Sequence, residues 1–172
     1  MNKNLLSVIR CISKEIGSEL GKKHLQKFIY IFEAKGVNLG FEYGIHFYGP
    51  YSECLNHELL ILNSEGYVDL QITDSTHQIS PRETSDKVDF DLSPDDQSLV
   101  LNLIQEYKGY SPYDLELLTT THFVSVCTGS KADEDILSGV KKIKGKKYSD
   151  DQVRKTIHHI RDNFDLSRPL AI

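Results

Sequence analysis

The sequence predicts a mostly α fold with a small β-hairpin: a winged-helix-like N-terminal half followed by a C-terminal helical extension. Three observations lead there. Apolar residues recur at helical spacing through the first 36 positions and most of the second half. YVDLQIT alternates with strand period, and after a DST turn HQISP can return beside it. Serine-led cap signals (SPDD, SPYD, SDDQ) stand before apolar stripes.

In order, Leu5, Ile9, Ile12 and Ile16 predict an amphipathic helix over 3–17. Leu25, Phe28, Ile29 and Phe32 repeat the stripe in a second helix stopping at Gly36. Residues 37–50 lack a helical period and read as extended or looped. Ser52 caps a third helix with Leu55, Leu59 and Leu62 inward. Leu60 and Ile61 widen that face, which predicts burial on more than one side before the helix ends at Gly66. In the first ribbon strand Val68, Leu70 and Ile72 point in, and Tyr67, Asp69 and Gln71 point out. Residues 1–82 thus form the winged-helix-like part, and the charged 83–92 stretch reads as a linker. Residues 93–172 form a helical part packed on the first as one compact unit. There Ser93, Ser111 and Ser149 cap helices carrying Leu99/Val100/Leu103/Ile104, Leu115/Leu118/Phe123 and Val153/Ile157/Ile160/Phe164. ADEDILSGV begins a short helix that KKIKGKK interrupts as a basic loop.

A hydrophobic content of 39% with 26% charged residues is ordinary for a globular chain. No apolar run reaches membrane-span length, and the N-terminus is broken by Arg10, Lys14 and Glu15, so no signal peptide is read and the expected location is the cytoplasm. Cys11, Cys54 and Cys127 lie in apolar stretches and read as buried reduced thiols. The net charge of −5 argues against a dedicated nonspecific nucleic-acid binder.

The chemical constellations are thin. His158 and His159 diverge by about 100° on a helix, and Cys54 with His57 lacks a second ligand pair, so no metal is expected. Cys54 or Cys127 with His122 or His57 lies in no recognised nucleophile turn, and Gly36, Gly40 and Gly44 match no phosphate cradle. No catalytic residue and no cofactor is expected, hence no enzyme. The helix before the ribbon carries Glu53, Glu58 and Glu65 and no cation, which is the wrong sign for major-groove docking.

IHFYGPYSECLNHEL sets rings around the Gly49–Pro50 turn. Phe47 reads as core, Tyr48 and Tyr51 as partly exposed. With Lys23, Leu25, Gln26, Lys27, Ile29 and Tyr30 upstream and Leu55, Leu59, Leu62 and Gly66 downstream, this stretch resembles the YwgA-like proteins. These are related to the Panacea antitoxin domain of SocA- and GepA-like proteins. The likeness is strong over residues 22–70 and looser beyond. It implies an α-rich, winged-helix-like protein without catalysis, antitoxin-like or handing another protein to a protease.

The expected function is therefore a non-enzymatic protein–protein interaction module of bacterial or phage origin. Its partner would be a toxin, a protease substrate or a defence-system subunit. Lys23, Lys27, Tyr30, Tyr48, Gly49, Pro50, Tyr51 and Ser52 form the expected partner surface, with Tyr48 and Tyr51 as anchors. The same turn is equally explained as a purely structural device fixing two helices. The alternative is a DNA-binding regulator using the basic patch Lys141, Lys142, Lys144, Lys146 and Lys147, although nucleic acid is not the favoured partner.

Overall fold

The computed structural model describes residues 2–17, 20–72, 77–88, 91–130, 132–168 and 170–171. Its elements are α1 (Lys3–Ile16), α2 (Lys22–Ala34), β1 (Gly44–His46), β2 (Gly49–Tyr51), α3 (Glu53–Ser64), β3 (Val68–Ile72), β4 (His77–Pro81), α4 (Pro94–Tyr107), α5 (Pro112–Thr128), α6 (Asp133–Lys144) and α7 (Asp150–Asn163). The fold is mostly α with two small antiparallel hairpins.

The caps act where their chemistry places them. Ser52 Oγ accepts from Leu55 N at 3.1 Å and starts α3. Ser93 Oγ accepts from Asp96 N in the same way at α4. Ser111–Asp114 and Ser149–Gln152 close reciprocal capping boxes at α5 and α7. Gly129, in the left-handed region, ends α5. The ribbon pairs Val68 with Pro81 through Ile72 with His77, as the two segments predict. The DST turn lies outside the described residues, as do Asp89 and Phe90 of the 83–92 stretch. Residues 83–87 form a short 3-10 turn, and Ser85 within it is buried.

One apolar core takes Leu5, Ile9, Phe28 and Leu59 from the first half and Val100, Tyr107, Phe123 and Ile160 from the second. A second cluster, including Leu117, Val124, Ile136, Val140 and Ile157, joins α5, α6 and α7. Helices α5 and α6 approach closely there: a Cβ added at Gly139 would sit 2.5 Å from Val124 Cγ1. Helix α2 is the central rod, buried continuously from His24 to Phe32.

Several expectations are corrected. Leu60 is half exposed and Ile61 half-buried, so α3 buries one face only. Ile72 is 80% exposed, because the ribbon extends beyond the helices that cover Val68 and Ile79. Cys54 and Cys127 are exposed free thiols and Cys11 is half-buried. Lys141, Lys142 and Lys144 form the last turn of α6 rather than a loop, where cations suit the negative helix end. Among the described residues no helix is long and apolar enough to cross a membrane.

Candidate functional site: the aromatic hairpin and its ionic foundation

The β1–β2 hairpin is too short to hold itself together, with three residues in each strand. Side chains from other elements hold it. Gln26 reads the Ser52 backbone on both sides: Nε2 donates to Ser52 O and Oε1 accepts from Ser52 N, each at 2.9 Å. Lys27 Nζ donates to Pro50 O at 2.5 Å, and Lys144 Nζ donates to Phe47 O at 2.7 Å. Gly49, at φ 91°, lets the turn lie against α5, since a Cβ there would meet Thr120 Oγ1 at 2.6 Å.

Beneath the hairpin, Glu116 accepts from Lys144 at 2.8 Å and from Lys147 at 2.7 Å. Desolvation is the largest influence on this carboxyl and pushes its pKa up. The hydrogen bonds and charges of the two lysines outweigh that and leave it below the usual range. Lys27 is 2% exposed. Burial, then repulsion from Lys144, lower its pKa to about 7 against the attraction of Glu116. Burial likewise lowers Lys144, despite its bond to Glu116. Three ammonium groups around one carboxylate make a foundation that anchors the hairpin tip from α2 and α6.

The outward face is a row of rings. Lys23 Nζ lies 3.5 Å from the centroid of Tyr48. Tyr48 is 6.0 Å from His46, and His46 is 5.3 Å from Tyr51. Phe47 stands edge-on to Tyr48 at 5.1 Å and is 72% exposed. At the foot of the hairpin a cleft of about 440 Å³ is lined by Glu42, Gly44, His46, Tyr51, Glu53 and Cys54.

The structure divides the expected partner surface. Lys23 is exposed, and Tyr48 and Tyr51 are half-buried. Lys27, Tyr30, Gly49, Pro50 and Ser52 are buried, because they face α5 and the α3 cap rather than solvent. Phe47 is not core: its backbone carbonyl is anchored inward by Lys144, and the ring turns out. The basic patch is also largely spent. Lys144 and Lys147 hold Glu116, while Lys141 pairs with Asp150 at 2.8 Å and donates to Tyr148 O. Sequence reading missed Glu116, the common partner of two of those lysines, and the exposed His46.

Elsewhere, buried polar groups serve the fold. Tyr30 Oη meets His122 Nδ1 at 2.8 Å, and burial pushes the His122 pKa down to about 4, so that imidazole is neutral. Partial desolvation raises the Cys127 thiol although the residue is exposed, opposite to what a nucleophile needs. Burial also raises Glu33, whose oxygens accept from Leu39 N, Phe41 N and Tyr43 Oη and thereby shape the 36–44 loop. Among the described residues no cluster of three His, Cys, Asp or Glu is placed to hold a metal ion.

No family model matches the chain. An alignment of 160 residues, covering 81% of the chain, is 29% identical to the DNA ADP-ribosyl glycohydrolase of Mycobacterium bovis (strain BCG / Pasteur 1173P2). The same figures hold for the protein of that name from Mycobacterium tuberculosis (strain ATCC 25618 / H37Rv). The chain is 31% identical over 114 residues, 63% of its length, to the DNA ADP-ribosyl glycohydrolase of Thermus aquaticus (strain ATCC BAA-2747 / Y51MC23). It spans 44% of each mycobacterial relative and 31% of the Thermus one, less than half the length of the curated relatives it matches. All three carry the name of an enzyme. That finding overturns the expectation of a non-enzymatic interaction module, and with it the antitoxin, toxin–antitoxin and adaptor readings.

Proposed function

We propose that this chain takes part in the hydrolytic removal of ADP-ribose from DNA, and that its contribution is to grip the modified strand on the aromatic hairpin. The single observation that carries the reading is the alignment of four-fifths of the chain with proteins named for that reaction. The geometry supports the role given to the hairpin. A row of exposed and half-buried rings with a lysine at one end suits unstacked bases and a phosphate, since base–aromatic stacking is sequence-tolerant and lysine meets the backbone charge. Strand recognition of this kind does not use the acidic α3 in a duplex groove, so Glu58 and Glu65 do not oppose it.

Glu116 is a poor hydrolytic acid or base, because both its lysine partners hold it ionised and buried. It serves as the hairpin's foundation. The test is a single-stranded oligonucleotide bearing ADP-ribose, followed for binding and for release of free ADP-ribose. Release by the chain alone assigns the whole reaction to these 172 residues. Binding without release, weakened by Tyr48→Ala, assigns strand recognition to them. Neither binding nor release refutes the reading.

A further inference from the structure

The hairpin tip rests on a lysine with too few partners for its charge. Lys27 is 2% exposed, and among the described residues its nitrogen touches no carboxylate. One oxygen of Glu116 accepts from both Lys144 and Lys147, so Glu116 attracts Lys27 only from a distance. An ammonium brings three N–H donors. Among the described residues the acceptor that Lys27 has is Pro50 O, at 2.5 Å. Thr120 Oγ1, which flanks Gly49 together with Lys27, is buried and makes no hydrogen bond. A neutral amine suits this place better, with fewer donors to satisfy and no charge to desolvate.

The charges that act on Lys27 come from two elements, Glu116 from α5 and Lys144 from α6, with Lys147 reaching it through Glu116. Strand β2 lays Gly49, Pro50 and Tyr51 over it, and α4 and β4, which also pack on α2, bring it no charge. On its own helix Lys23, one turn back, faces Tyr48. Burial first and Lys144 second lower the Lys27 pKa to about 7, against the attraction of Glu116. A proton gained here draws the nitrogen toward water, and the elements that enclose it differ in strength. Helices α2 and α5 have 13 and 17 residues and carry the core, whereas each hairpin strand has three. Ile45 and Phe47 are exposed, so polar bonds to the backbone from Gln26, Lys27 and Lys144 hold the tip in place of apolar packing by those two side chains. The hairpin is therefore the part that yields.

We propose that the aromatic hairpin is a proton-sensitive clamp, seated over Lys27 as a neutral amine and lifted when that nitrogen gains a proton and moves to water. What the clamp regulates rests on the strand-gripping reading; the seating itself does not, and it is tested without DNA, so either can fail while the other stands. The lifted state binds more protons than the seated one between the two pKa values, so seating tightens as pH rises. The test is amide hydrogen exchange, followed by NMR on the full chain from pH 6 to pH 9, each rate divided by its intrinsic rate at that pH. The probe is Ser52 N, which Gln26 Oε1 holds at 2.9 Å where β2 meets α3. For one isolated group titrating near 7 when seated and at 10.5 when wet, the opening constant at Ser52 should fall by up to about a hundredfold across that range. Gln152 N, in the capping box of α7, should keep the same protection throughout. In Lys27→Met, which retains His46, Lys144 and Glu116, the opening constant at Ser52 should change by less than about threefold, since no buried amine remains to titrate. A flat wild-type profile overturns the proposal, even where the variant does not fold. A pH dependence that survives Lys27→Met overturns it too, because it then belongs to the neighbouring groups. So does one that Gln152 shares in full, because the whole fold then opens and not the hairpin.

Discussion

Replacing Lys27 with methionine isolates the cost of an ammonium group set under the hairpin. The lysine is 2% exposed and its pKa in the fold is about 7, against 10.5 ordinarily. Desolvation is the main cause, and Lys144 the next. In the unfolded chain the group holds its proton up to pH 10.5; in the folded protein it releases it near 7. The unfolded state therefore binds more protons between those values, and stability rises with pH across that window. The contribution is complete above the unfolded value and is lost as pH falls through the folded one. For one isolated group, the change in stability between pH 6 and pH 10 is about 4 kcal/mol. Lys144 and Glu116 also face the site, and each changes as Lys27 loses its charge, so the figure describes the cluster's order of magnitude. Urea unfolding at pH 6, 8 and 10 for wild type and Lys27→Met measures it. The advantage of Met over Lys should shrink steadily as pH rises, whatever the loss of the Pro50 hydrogen bond costs at any single pH. A difference between the two proteins that stays constant over the window refutes the burial argument.

Four further outcomes follow from the same contacts. Glu116→Ala leaves buried Lys144 without its counter-charge and should cost about 3–5 kcal/mol in urea unfolding. Gly139→Ala forces a methyl against Val124 and should cost about 1–3 kcal/mol, read as a lower urea midpoint with an unchanged slope. Tyr48→Ala should weaken single-stranded DNA binding by about 1–3 kcal/mol in anisotropy titrations while leaving the unfolding curve in place. Lys23→Ala should weaken binding less at high salt than at low salt and lower the slope of log affinity against log salt by about 0.7.

Local chemistry made the helices legible. Ser52, Ser93, Ser111 and Ser149 announce helix starts through caps that depend on only three neighbouring residues. The ribbon was legible for the same reason, as strand alternation is written in five consecutive positions. The site was harder to read because its determinants are distant. Lys27 looks like a surface cation until Glu116 and Lys144 are brought beside it by helices some ninety and more residues later. Lys144 and Lys147 formed a basic patch on paper and an ion pair network in space. For Phe47 the sequence offers only side-chain type, which points to the core. In a tight hairpin, the backbone bonds decide which way such a ring turns, and here its carbonyl faces the core. Nothing within one sequence suggests hydrolysis of ADP-ribose; that came from likeness to other proteins.

The bond from Lys144 to the Phe47 carbonyl spans 97 positions of chain. During synthesis the hairpin emerges long before α6 exists, and three-residue strands cannot hold its shape in the interval. The bonds from Gln26 and Lys27 can form early, but the Phe47 carbonyl takes its partner only once α6 has docked. Premature truncation anywhere ahead of residue 144 would remove that bond and leave the hairpin tied by side chains only from α2.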